Sequence, residues 1–160
     1  MNKIEGLLCL FGKNKYELEG EFTNYRIDGY WLDEELDKFY PNHEIDMLVP
    51  SLLYRFEDKN EAEMVRKNIL PKENETTICP ILVCNQGCGL RCVYVVAEIR
   101  NDGNCIKWER LGLHKRDTIE VIDKENNSAM PSIMWLDKVK QMTFEMDDYL
   151  KMIEAFNSPE

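Results

Sequence analysis

Apolar and polar positions alternate in short runs along much of this chain, and the clearest pattern spans Thr77 to Leu113. TICPILVC, RCVYVVAEI and CIKWERLGL read there as three antiparallel strands in sequence. Asn101-Asp102-Gly103-Asn104 supplies a two-residue hairpin signal, because a type I′ turn needs φ > 0 at both central positions and Asp-Gly tolerates that. Setting Asn101 opposite Asn104 places Ile99 across from Ile106, Ala97 from Trp108 and Glu98 from Lys107. This register predicts one apolar face and an opposite-charge pair on the other.

The same patterning predicts the remaining elements. Leu7 to Phe11 and Tyr16 to Phe22 read as strands joined at Gly12-Lys13-Asn14-Lys15, with Glu17, Glu19 and Glu21 alternating against Tyr16, Leu18 and Phe22. Tyr25 to Trp31 continues the sheet, with Tyr25 and Ile27 on one face and Arg26 and Asp28 on the other. In Leu32 to Tyr40, the positions of Leu32, Leu36 and Phe39 suit a short helix stopped by Pro41-Asn42. Leu48 to Glu57 is strand-like, and Pro50 places it at an edge or at a strand start. Asn60 to Leu70 is a helix capped by Asn60, with Glu61 and Glu63 in its first turn and Pro71 beyond its end. Arg116 to Asp123 adds a short strand, Lys124 to Ala129 a polar loop, and Ile133 to Leu136 resumes apolar structure around Trp135. Met146, Tyr149, Leu150, Ile153 and Phe156 recur at helical spacing, so a C-terminal helix near 145–156 lies on the sheet. Strands with a few helices and no linker between them predict one α+β domain over residues 1–160, built on an antiparallel sheet.

Composition narrows the functional classes. The 160 residues are 44% apolar, enough for a folded core, and no apolar run is long enough to span a bilayer. Glu5 directly precedes the short patch GLLCLF and no small-residue cleavage site follows, which predicts a cytoplasmic location. With 20 basic and 30 acidic side chains the formal net charge is −10. A field of that sign repels phosphate backbones and favours a basic protein partner over nucleic acid. Six cysteines in such a chain are expected as reduced thiols rather than as a disulfide framework.

Cys84-x3-Cys88-x3-Cys92 is the one cluster with metal-like density. Three thiolates there need a fourth ligand from Cys79, Cys105 or His114 to hold zinc, and the paired halves of a structural zinc site are missing. Buried thiols packing as small hydrophobes are therefore preferred, and neither a metal nor another cofactor is expected. His43 and His114 lie in separate expected loop regions, and no serine sits in a G-x-S-x-G elbow. Carboxylates are abundant, but no pair is singled out for acid–base work.

Asp28 to Tyr40, DGYWLDEELDKFY, mixes aromatic anchors with acids. Tyr30, Trp31, Asp33, Glu34, Asp37 and Tyr40 form the candidate partner-binding set, since aromatic anchors inside an acidic rim suit a basic protein. The competing arrangement puts Trp31, Leu36 and Phe39 in the core and leaves the acids in water.

The acidic balance, CPILVC…RCVYVVAEI, the Trp-Leu-Asp of Trp135 to Asp137, and the closing series Phe144, Tyr149, Ile153 and Phe156 together resemble small bacterial immunity proteins of polymorphic toxin systems. That resemblance implies a stoichiometric, non-catalytic binder, and it transfers no functional residue. The leading expectation is thus an acidic protein-binding module that neutralises a basic toxin. A zinc- or redox-responsive protein using Cys84, Cys88 and Cys92 is the alternative, and a small hydrolase ranks third.

Overall fold

The computed structural model describes residues 1–9, 22–54, 56–84, 90, 92–114 and 133–157. β1 (Ile4–Cys9), β2 (Phe22–Ile27) and β3 (Tyr30–Trp31) form an antiparallel three-stranded sheet in that order. The β2–β3 turn has Asp28 at φ 53° and Gly29 at φ 86°, with Ile27 paired to Tyr30. This is the two-residue geometry that needs positive φ at both central positions. α1 (Leu32–Phe39) follows β3 without a loop, and a single 3-10 turn, Ile45–Met47, leads into β4 (Leu48–Pro50).

α2 (Lys59–Asn68) starts where the Asp58 carboxylate accepts from the Asn60 N–H at 2.8 Å, so Asp58 rather than Asn60 is the cap. It ends at Asn68, short of Leu70, because the residue before Pro71 disfavours helical backbone. β5 (Thr76–Cys84), β6 (Tyr94–Asn101) and β7 (Cys105–His114) form the meander. β8 (Ile133–Trp135) pairs with the far end of β7, and β9 (Met142–Glu145) pairs with its near end. The resulting six-stranded sheet runs β4-β5-β6-β7-β8, with β9 also on β7 and every strand pair antiparallel. α3 (Met146–Asn157) closes the described chain within a residue of its expected bounds.

The α+β class, the antiparallel meander and the C-terminal helix on the sheet match the expectation from patterning. The register of the β6–β7 hairpin differs. Asn101 faces Ile106 instead of Asn104, Ile99 faces Trp108, and Arg100 faces Lys107. Asp102 keeps an ordinary negative φ and only Gly103, at φ 89°, is left-handed, so the predicted I′ turn is absent here. The cause is Asn101. Its side chain accepts from Gly103 N–H and donates to the Pro71 carbonyl, both at 2.8 Å, while its backbone pairs with Asn74 and Glu75. These bonds hold a wider loop, closed by Asp102 N–H donating to the Cys105 carbonyl at 3.0 Å.

A bulge then shifts the pairing again, so that Glu98 faces Arg110 and Ala97 faces Leu111. With Glu109 as the extra residue, Glu109 and Arg110 both lie off the core while Trp108 and Leu111 are both buried. The predicted apolar face survives: Ala97, Ile99, Ile106 and Trp108 are all fully buried. The charge pair on the opposite face is Glu98 with Arg110, at 3.3 Å, and Lys107 pairs with Asp102 at 3.2 Å instead.

Other boundaries move for local reasons. β1 begins at Ile4, ahead of the expected Leu7, while Leu10 and Phe11 of the expected strand lie outside the described residues. The strand expected over Leu48 to Glu57 stops at Pro50, where the chain turns: Ser51 Oγ donates to the Pro80 carbonyl at 2.7 Å and Leu53 N–H to Pro50 O at 3.1 Å. Its edge position is as expected. Met142–Glu145 forms a strand that no sequence signal announces. Most of the expected strand Tyr16 to Phe22, the strand Arg116 to Asp123 and the Lys124 to Ala129 loop lie outside the described residues. Among the described residues no helix is long and apolar enough to cross a membrane.

Both sheets, α1, α2, α3 and the segment joining β8 to β9 share one apolar core that includes Tyr25, Leu36, Val65, Trp108, Leu136, Phe144 and Tyr149. Two buried phenols anchor it. Tyr25 OH donates to Ile81 O at 3.1 Å, and Tyr149 OH donates to Ile69 O at 2.6 Å while accepting from Trp108 Nε1 at 3.3 Å. Burial pushes both ionisations far above the usual tyrosine range. Because the unfolded chain releases these protons near pH 10 and the native state keeps them, stability is fully present below about pH 10 and falls above it. A spectrophotometric titration should show Tyr25 and Tyr149 ionising only with unfolding; their smooth titration in a still-folded protein would contradict the packing.

Candidate functional site

The Asp28 to Tyr40 segment folds into the β2–β3 turn and α1. Leu32 and Leu36 are buried on the core side of α1, and Asp33, Glu34 and Glu35 occupy its first turn, where acids interact favourably with the helix N-terminus. No side chain caps that end. Leu36 O accepts from Tyr40 N–H at 2.9 Å at the other.

The structure separates the six candidate residues. Tyr30 is 58% exposed, with Lys38 Nζ 6.0 Å from its ring centroid. Trp31 is half-buried under the Arg26 guanidinium at 5.2 Å. Glu34 is exposed and Asp37 half-buried. Tyr40 is half-buried, and its hydroxyl accepts from Lys138 N–H at 2.8 Å.

Asp33 is a correction. It is only 2% exposed and accepts from buried Asn24 Nδ2 at 3.2 Å, so it cannot belong to an acidic rim. Asn24 in turn accepts from Tyr25 N–H at 2.8 Å, making Asp33 part of the joint between α1 and β2. Phe39, which the core arrangement would bury, is 46% exposed.

Beside α1 runs a groove of about 330 Å³. Ile27, Leu32, Leu36, Val139 and Met142 supply its apolar lining, and Tyr30 and Phe39 present exposed rings along it. Its polar lining comes from Asn2, Asp28, Glu35, Lys138, Lys140 and Gln141. In the sequence, the segment Lys138 to Met142 carries no signal of a site beyond the alternation Lys138-Val139-Lys140. Glu35 accepts from Lys38 Nζ at 3.0 Å, and that carboxylate holds the Lys38 ammonium above its usual range. Asp28 accepts from Lys3 N–H at 2.8 Å and from Asn2 Nδ2 at 2.7 Å, which ties the turn to the N-terminus.

The cysteine cluster is only partly described. Cys84 is a half-buried free thiol at the end of β5, Cys92 is disulfide-bonded, and Cys88 lies outside the described residues. The expectation of reduced thiols therefore fails at Cys92, which is not a free thiolate ligand. Cys79 and Cys105 are free, and burial pushes the Cys79 thiol far above the usual range, which suits a packing role. Among the described residues no group of three His, Cys, Asp or Glu side chains is arranged to hold a metal. His114 is buried at the end of β7, stacked on Tyr94 at 4.5 Å, whereas His43 stands against Tyr40 beyond α1. The two histidines are thus placed in different parts of the fold, and His114, expected in a loop, is instead a strand residue paired with Tyr94 and Ile133. Comparison with protein-family models, curated proteins and solved structures finds no match to this chain.

Proposed function

We propose that this chain is a non-catalytic, acidic protein-binding module that docks a basic partner through the outer face of α1, in the manner of a toxin-neutralising immunity protein. The observation that carries this reading is the pair of exposed rings, Tyr30 and Phe39, in a segment that also carries the exposed Glu34 and half-buried Asp37. Large apolar side chains left in water within a charged surround are the composition of a docking surface. The chain's net charge of −10 adds long-range attraction for a basic partner. Such attraction acts mainly on the encounter rate.

The test uses the partner captured from a lysate, with its association measured against the wild-type chain and against Glu34→Gln/Asp37→Asn. The double variant should fold with stability within about 0.5 kcal/mol of wild type, since neither side chain is buried. Its association should be several-fold slower, and the difference should shrink as salt is raised. A partner that is itself acidic, or an unchanged association rate, removes α1 from the interface.

A further inference from the structure

We propose that the groove between α1 and the Lys138 to Met142 segment is a binding site for an amphipathic organic anion, an alkyl or aryl body ending in a carboxylate or sulfonate. The volume of about 330 Å³ and the apolar lining suit such a body. The charge balance selects its head group. Both carboxylates in the lining already have partners inside the protein: Asp28 is held by Lys3 N–H and Asn2 Nδ2, and Glu35 by Lys38 Nζ.

Among the described residues, neither lysine on the opposite wall forms an ion pair. Lys138 Nζ reaches the Phe39 carbonyl at 3.4 Å and lies 5.3 Å from the Tyr40 ring centroid, but meets no carboxylate among the described residues. Lys140 is exposed and makes no ion pair among the described residues. Lys38 neutralises Glu35, while Asp28, whose partners are uncharged, offsets one of the two lysines, so one positive charge is left over at the groove, within a chain whose net charge is −10.

An acidic peptide segment fits less well. A peptide backbone carries a donor and an acceptor at nearly every residue and needs partners for those it buries. Asn2, one of the two side-chain amides in the lining, is consumed: its Nδ2 donates to Asp28 and its Oδ1 accepts from Thr143 N–H at 2.9 Å. A ligand with a single polar end matches a wall whose remaining polar side chains are the Gln141 amide and two ammonium groups.

This site shares the Tyr30 and Phe39 rings with the docking surface proposed above but is set apart from it by Lys138 and Lys140, and its test needs no natural partner. The full chain is titrated with 8-anilinonaphthalene-1-sulfonate, followed by displacement with decanoate, decanol or an acetylated Leu-Asp peptide amide. Saturable one-to-one dye binding is expected, with displacement by decanoate at lower concentration than by decanol. Lys138→Gln/Lys140→Gln should weaken dye and decanoate by about tenfold, the scale of a lost charged hydrogen bond, and leave decanol unchanged. Thermal melts keep loss of folding apart from loss of the site, and Glu34→Gln/Asp37→Asn should bind the dye as wild type does. Dye binding that does not saturate, or that ignores the lysine substitutions, overturns the proposal. Displacement by the peptide but not by decanoate overturns it as well, in favour of a peptide groove.

Discussion

Trp108→Ala should destabilise the protein by about 3–5 kcal/mol, read as a fall in the urea midpoint at unchanged slope. Trp108 is fully buried on β7 and meets three rings edge-on: Phe144 at 5.2 Å, Tyr25 at 6.0 Å and Tyr149 at 6.4 Å between centroids. These neighbours come from β9, β2 and α3, so one side chain joins both sheets to the C-terminal helix. Truncation loses the apolar transfer energy and leaves a void that three aromatic rings cannot fill without leaving their rotamers. It also removes the Nε1 donor to Tyr149 OH, although that hydroxyl keeps its bond to Ile69 O. Against a total of about 5–15 kcal/mol for a domain, the loss brings the native state close to its limit. Trp108→Phe retains most of the ring contact and should cost clearly less. A loss under about 1 kcal/mol for the alanine variant would mean that this aromatic cluster is not the centre of the core.

Asp33→Ala should cost about 1–3 kcal/mol, whereas Glu34→Gln and Asp37→Asn should each be close to neutral. The three acids are near neighbours on one helix and look equivalent on charge alone. Burial distinguishes them. Removing the Asp33 carboxylate takes away the acceptor for Asn24 Nδ2 inside a site where water does not reach, since Asn24 is itself 1% exposed. It also removes a negative charge from the first turn of α1, an end that no side chain caps. Equilibrium unfolding of the three single variants decides the matter. A neutral Asp33→Ala would return this residue to the surface set. Any loss of partner binding in an Asp33 variant is expected to follow from a displaced α1, and so to appear together with reduced stability.

How far the candidate site was legible follows from the same residues. α1 could be read because Leu32, Leu36 and Phe39 recur at helical spacing, and the exposed Tyr30 and Glu34 lie where an aromatic and acidic surface was expected. Asp33 could not be placed. A carboxylate carries no apolar signal, and its burial depends on Asn24 of the adjacent strand presenting an amide to it. The cationic wall of the groove was invisible for a different reason. Lys138 meets Tyr40 across 98 positions of sequence, and nothing local in either segment encodes that contact.

The hairpins show the same division. The chain contains two Asp-Gly pairs flanked by apolar alternation, and both are turns. Only Asp28-Gly29 takes positive φ at both residues; at Asp102-Gly103 the buried Asn101 side chain bonds to Gly103 N–H and Pro71 O and imposes a wider loop. Periodicity by itself determined the α+β class, the meander, the C-terminal helix and the buried faces of the central strands, because burial of an apolar stripe is a local property of spacing. Strand register, the bulge at Glu109, the burial of Asp33 and the joining of α1 to Lys138–Met142 were decided only by tertiary structure. Each depends on which polar groups from distant segments satisfy one another once water is excluded, and residue order does not record that pairing.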